Sequence, residues 1–159
     1  LPVVAAPAEA AAVGRLWRLR DLAEWAAQNA DRIVVLPRAI SAAKRAVYES
    51  PEACYAALEI LAGIYRDVKR SGADRQQLLE AVTQLGLRIG GSVDPAQAGA
   101  AGDEYFVRWR GRRRFLDQHL SKGGSRDPRF TLRIYFTWDE ETERAVVGWL
   151  PSHLSNSLT

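Results

Sequence analysis

"RFTLRIYFTWDEETERAVVGWLPSHL", residues 129–154, is the stretch on which the fold turns. Leu132, Ile134, Phe136 and Trp138 alternate with Arg133, Tyr135 and Thr137, so the two sets leave an extended strand on opposite faces. After the acidic turn 139–143, "RAVVGWL" supplies a partner strand, and the pair reads as a hairpin. One face is apolar and needs a cover. The other carries Arg, Tyr and Thr, and the last strand runs out into Pro151, Ser152 and His153.

Upstream, "EYFVRWRG" has the same period of two, with Tyr105, Val107 and Trp109 set against Phe106, Arg108 and Arg110. Between these segments, "RRRFLDQHLSKGGSRDP" reads either as a short helix with Phe115, Leu116 and Leu120 inward or as a second strand paired through Gly111. The favoured reading is a hairpin at Gly111 running into a short turn of helix.

The N-terminal half has the helical period instead. Leu16, Leu19, Ala23 and Ala26 form a first stripe, and Ile33, Leu36, Ile40, Ala43 and Val47 a second, in which Pro37 is a kink or the true start. Ser50-Pro51-Glu52 opens a third helix, with Ser50 as side-chain cap and Tyr55, Leu58, Leu61, Ala62, Tyr65 and Val68 as its buried face. Ser71-Gly72 ends it, and a fourth helix capped by Asp74 is expected to bury Leu78, Leu79, Val82 and Leu85.

The expected fold is α+β: an N-terminal bundle of about four helices packed on a small antiparallel sheet of three or four strands. The parts are a linker or leader at 1–13, a bundle at 14–90, a hinge at 91–103 rich in Gly and Ala, and a basic β domain at 104–159.

Composition narrows the class. Of 159 residues, 47% are apolar and 26% charged, which suits a globular domain and excludes a disordered or fibrous chain. No apolar run reaches the ~18 residues of a membrane-spanning helix, so no membrane partner is expected. One cysteine, Cys54, excludes an internal disulfide and a multi-thiolate zinc site, and it reads as a buried helical residue in a cytoplasmic protein. The absence of Met, even at position 1, suggests a chain cut from a longer one.

Charge is unevenly placed. Residues 1–100 hold twelve basic and eleven acidic side chains. Residues 105–133 hold nine basic ones (Arg108, Arg110, Arg112, Arg113, Arg114, Lys122, Arg126, Arg129 and Arg133) against Asp117 and Asp127. With Trp109 and other rings interleaved, this composition suits phosphates and stacked bases, so RNA or another polyanion is the expected partner. The alternative is a solvated strand face whose arginines deter edge pairing.

No phosphate-cradling glycine motif, dinucleotide fingerprint or helical pair of metal-binding histidines occurs, and no cofactor or metal is expected. The acids of the 139–143 turn read as a solvated hairpin tip. Both histidines, His119 and His153, lie in the basic β part. Histidine moves protons near neutral pH, so His153 as base, Arg133 with Arg126 or Arg129 as cation, and Tyr135 as acid form a candidate set for metal-independent RNA cleavage.

The order "G-x-x-R-x-P-x-x-x-L-R-I-Y-F", acidic turn, "AVVGWLPSHL" resembles the C-terminal half of RelE/ParE-type toxins of bacterial toxin-antitoxin systems. Residues 123–159 also resemble C-terminal segments of bacterial proteins that end in H-L-x-x-x-x-T, matched by His153, Leu154 and Thr159. The resemblance implies helices between the first and second strands and a small endoribonuclease, or a member that binds its target without cutting. Arg133 would contact phosphate, and His153 or Tyr135 would move protons. The rival expectation is a non-catalytic interaction module whose bundle binds a protein partner.

Overall fold

A computed structural model describes residues 16–72, 74–93 and 103–154. A 3-10 turn at Leu19–Asp21 leads into helix α1 (Leu22–Gln28) and strand β1 (Ile33–Val35). Helices α2 (Pro37–Lys44), α3 (Pro51–Ala62), α4 (Ile64–Ser71) and α5 (Arg75–Gln84) follow. Strands β2 (Arg88–Gly91), β3 (Phe106–Trp109), β4 (Arg112–Phe115), β5 (Gln118–Lys122), β6 (Leu132–Asp139) and β7 (Arg144–Trp149) complete the chain. The fold is mixed α+β, with a five-stranded sheet ordered β1-β7-β6-β5-β2 and a separate β3-β4 hairpin. No helix of the described residues is long and apolar enough to cross a membrane.

The sheet is larger than the sequence suggests because the helical half contributes two strands to it. Ile33–Val35 lies parallel to β7, with Val34 opposite Val146, where periodicity predicts the start of a helix. Two local effects override that pattern: a β-branched run favours extension, and a residue before proline is kept out of the helical region. Leu36 is accordingly extended at ψ 154°, its amide donates to the Val147 carbonyl at 2.9 Å, and α2 starts at Pro37. At the other edge β2 pairs antiparallel with β5. The expected bundle and the expected basic β domain thus share one sheet, the first through β1 and β2 and the second through β5, β6 and β7. Most of the expected 91–103 hinge, 94–102, lies outside the described residues.

Leu132, Ile134, Phe136 and Trp138 of β6 join Leu120, Ala145 and Val147 under the helices in one core with Leu22, Trp25, Leu58, Leu61 and Tyr65. The phase of the first stripe differs from expectation: Leu22 and Trp25 are buried, while Leu16 is fully exposed. A Leu or Trp has more apolar area to hide than Ala23, at about 2 kcal/mol per large side chain. The Ser50–Ser71 region breaks at Gly63 into α3 and α4, and Ser50 and Asp74 make no side-chain cap hydrogen bond. Leu79 and Leu85 stay partly exposed, so α5 buries only Leu78 and Val82. Cys54 is fully buried on α3, and burial pushes its thiol up to about 12.

The hairpin expected at Gly111 is present, with β4 as its second strand, but the turn of helix expected to follow it is strand β5 instead. Arg110 (φ 52°) and Gly111 (φ 80°) make the tight turn of the β3-β4 hairpin, both in the left-handed region that two-residue hairpins favour. The hairpin lies on the sheet face away from the helices. Tyr105, Val107 and Leu116 pack there with Tyr135 and Leu154. Gly148 permits the approach, since a Cβ there would sit 2.7 Å from Val107 Cγ1 and Leu116 Cδ2.

Candidate functional site

The hairpin covers only part of that second face. Tyr135 and Thr137 are buried beneath it, whereas Arg133 and His119 remain partly open. Strand register brings these residues together: His119 pairs with Tyr135, and Ser121 with Arg133, across β5 and β6. Beyond β7 the chain returns along β6, because the Arg133 amide donates to the Pro151 carbonyl at 2.8 Å. His153 is thereby brought to the same face.

Tyr135 stands between the two histidines. Its ring is stacked on His119 with centroids 5.7 Å apart and meets His153 edge-on at 6.5 Å. Its hydroxyl accepts from the Leu154 amide at 3.1 Å, and the Tyr105 hydroxyl donates to the Leu154 carbonyl at 3.1 Å. Burial pushes the Tyr135 phenol up to about 12, against the opposing pull of the Leu154 amide. This departs from the proton-donating role read in the sequence: a phenol only 3% exposed and bonded to backbone is placed to hold the 153–154 segment rather than to meet a substrate.

Both imidazoles titrate below the ordinary histidine value. For His119 the cause is burial first, then the Arg133 guanidinium, with the Gly91 carbonyl opposing and His153 adding a smaller push downward. For His153 it is burial and then Arg133, with the Leu154 backbone opposing. His119 Nδ1 is buried without a hydrogen-bond partner, so the ring is not locked by that nitrogen.

Arg133 and His153 open onto a cleft of about 480 Å3 that Ser125, Arg126, Thr131 and Ser152 also line. The "GGSRDP" loop forms its outer wall. Thr131 Oγ1 donates to the Ser125 carbonyl, the Asp127 amide to Ser125 Oγ at 3.0 Å, and the Arg129 amide to Asp127 Oδ1 at 3.0 Å. Gly123 starts the loop at φ 84°, and a Cβ there would lie 2.7 Å from the Phe130 carbonyl oxygen, so both conformation and space demand glycine. Sequence reasoning missed Ser125, Thr131 and Ser152, whose approach depends on this loop closing over β6. The Gly-Gly and Asp-Pro pairs around 123–128 were the only local signal.

The nine cations of residues 105–133 do not form one surface. Arg110 pairs with Glu141 at 3.2 Å, Arg113 with Asp103 at 2.8 Å, Arg114 with Asp139 at 3.4 Å and Arg129 with Asp127 at 2.6 Å. Lys122 Nζ donates to the Leu85 carbonyl at 2.8 Å, and Arg133 Nη1 to the Leu132 carbonyl at 2.9 Å. Arg108 and Arg112 are exposed on the hairpin, where Trp109 is half-buried, 5.6 Å from the Arg144 guanidinium. Arg133 and Asp139 are six residues apart on β6, about 20 Å at ~3.3 Å per residue, so Arg114, held at Asp139, stands far from the cleft. Arg126 and Arg133 are the expected cations that line it. Among the described residues no group of three or more His, Cys, Asp or Glu is arranged to hold a metal.

No protein-family profile matches the chain, and no curated protein or solved structure shows significant similarity to it.

Proposed function

We propose that the protein is a metal-independent endoribonuclease of the RelE type, acting on RNA at the cleft between the "GGSRDP" loop and His153. The observation that carries this reading is the convergence of the chain's only two histidines with Arg133 on one open part of a sheet face. Strand order supports the resemblance: β1 precedes α2 to α5, which separate it from the antiparallel strands, and the last strand lies parallel to it.

In this reading a scissile phosphate sits between Arg133 and Arg126. One imidazole, His153 at the rim, takes the proton of the 2′-hydroxyl as its oxygen bonds to phosphorus. The bond from phosphorus to the 5′-oxygen breaks, and His119 delivers the proton to that oxygen, leaving a cyclic 2′,3′-phosphate. The arginines offset the charge that grows on the phosphoryl oxygens. Tyr135 holds the two rings apart and anchors Leu154. A toxin or defence role in the bacterial cytoplasm follows from the resemblance.

The test is RNA cleavage in chelator by the wild type and by His153→Ala, His119→Ala and Arg133→Ala. Each substitution is expected to lower the rate at least a hundred-fold. Cleavage that survives all three would overturn the assignment. A non-catalytic interaction module is the second reading, favoured by the four arginines already paired with carboxylates. RNA binding without cleavage by the wild type would select it.

A further inference from the structure

Next to the cationic cleft lies a slot of about 250 Å3, and the two share Pro128 and Ser152. The slot is lined by Arg45, Ala46, Val47 and Tyr48, in and after the C-cap of α2, and by Trp149 and Pro151 at the end of β7. Among the described residues, Arg45 is its only charged lining residue, and no carboxylate lines either cavity. Val47 is 56% exposed at the slot and forms part of its apolar wall.

The slot is a built feature. Trp149 Nε1 donates to the Ser152 carbonyl at 3.0 Å and to Ser152 Oγ at 3.3 Å, which fixes the indole. The Arg38 guanidinium stands 5.0 Å from the indole centroid. The Glu49 amide donates to the Arg129 carbonyl at 3.0 Å, tying the turn after α2 to the loop that carries Pro128.

We propose that this slot receives an unpaired nucleobase whose flanking phosphate lies between Arg126 and Arg133, so that the substrate is single-stranded RNA with one base turned out. The inference rests on the endoribonuclease reading and names the substrate class of that site. A base is planar and largely apolar on its faces, and it is joined through ribose to an anion. An apolar slot with an indole wall, continuous with a cationic cleft, matches both parts of one nucleotide. A base-paired strand keeps its bases stacked inside the duplex and cannot offer one. Charge complementarity disfavours a purely apolar peptide as occupant: Arg126 and Arg133 stand in the adjoining cleft and Arg45 at the slot itself, and the two cavities meet at Pro128 and Ser152.

The experiment measures binding of a single-stranded oligonucleotide with 2′-deoxy sugars, which cannot be cut, and of the same strand carrying abasic residues. Wild type, Val47→Asn and Ala46→Phe are compared by fluorescence anisotropy. The wild type is expected to bind the strand with bases about ten-fold more tightly. Val47→Asn, which removes apolar wall, and Ala46→Phe, which fills the slot, should erase that preference and leave abasic binding unchanged.

Equal wild-type affinity for the two strands would overturn the base slot while leaving the cationic cleft in place. A loss shared equally by both strands in both variants would overturn it too. A retained base preference in a protein that cuts no RNA would instead sink the ribonuclease reading and keep the slot.

Discussion

The salt dependence of RNA binding separates a small cleft from a broad basic surface. Each phosphate neutralised on a single strand contributes about −0.7 to the slope of log affinity against log salt. Three arginines line the cleft and slot, Arg45, Arg126 and Arg133, so the slope for the non-cleavable oligonucleotide is expected near about −2. Engagement of all nine cations of residues 105–133 would give about −6. Between ~50 and ~200 mM salt the first slope weakens binding about fifteen-fold and the second several thousand-fold, a difference that anisotropy titration resolves without ambiguity. Arg133→Gln should flatten the slope by about 0.7, whereas Arg114→Gln should leave it alone, because Arg114 is already held by Asp139 and the Trp138 carbonyl. A wild-type slope steeper than about −4, or an equal effect of Arg114→Gln, would refute the division of the cations into paired and available groups.

Two further outcomes are expected. Burial pushes the Asp139 carboxyl up, but hydrogen bonds from Thr142 and Arg114 outweigh it and hold the group at about 2, below its ordinary 3.8. The folded value is the lower one, so this stability is present above about pH 4 and is lost as pH falls towards 2; at ~1.4 kcal/mol per pH unit it amounts to about 2 kcal/mol. Asp139→Asn should cost that much in urea unfolding at pH 7 and little at pH 2, and a cost independent of pH would contradict the assignment. With only two histidines, both imidazoles can be followed by NMR: Arg133→Gln should raise the pKa of His119 and of His153 together, and movement of neither would remove Arg133 from the site.

Where local pattern and tertiary packing agree, the fold was legible. The alternation of β6 and the β3-β4 turn at Gly111 were both readable from residues alone, since inward apolar side chains at every second position serve one purpose. Ile33–Val35 was not. Three residues cannot establish a period, and Ile33, Leu36 and Ile40 happen to keep helical spacing across Pro37. The β-branched run and Pro37 favour extension there, but what turns that local preference into a strand is β7, more than a hundred residues later, whose edge needs a partner. The same holds for Gln118–Lys122, too short to show a period and made a strand by its pairing with β6 and β2.

The candidate site was legible as composition and not as geometry. A cluster of arginines announces an anion only while its members are unpaired, and pairing is decided here by acids that the sequence pattern does not match to them: Asp139 for Arg114 and Glu141 for Arg110, both beyond β5, and Asp103 for Arg113. The Arg114–Asp139 and Arg110–Glu141 pairs fasten the hairpin to the β6-β7 turn, and the hairpin covers Tyr135 and Thr137. The same cover stops short of Arg133. β6 therefore carries one polar face with two fates: at its Asp139 end the cations are latched to carboxylates as part of the fold, and at its Leu132 end Arg133, His119 and His153 stay accessible. Cationic residues nearest the histidines, rather than the densest run of them, are the ones left to meet a ligand.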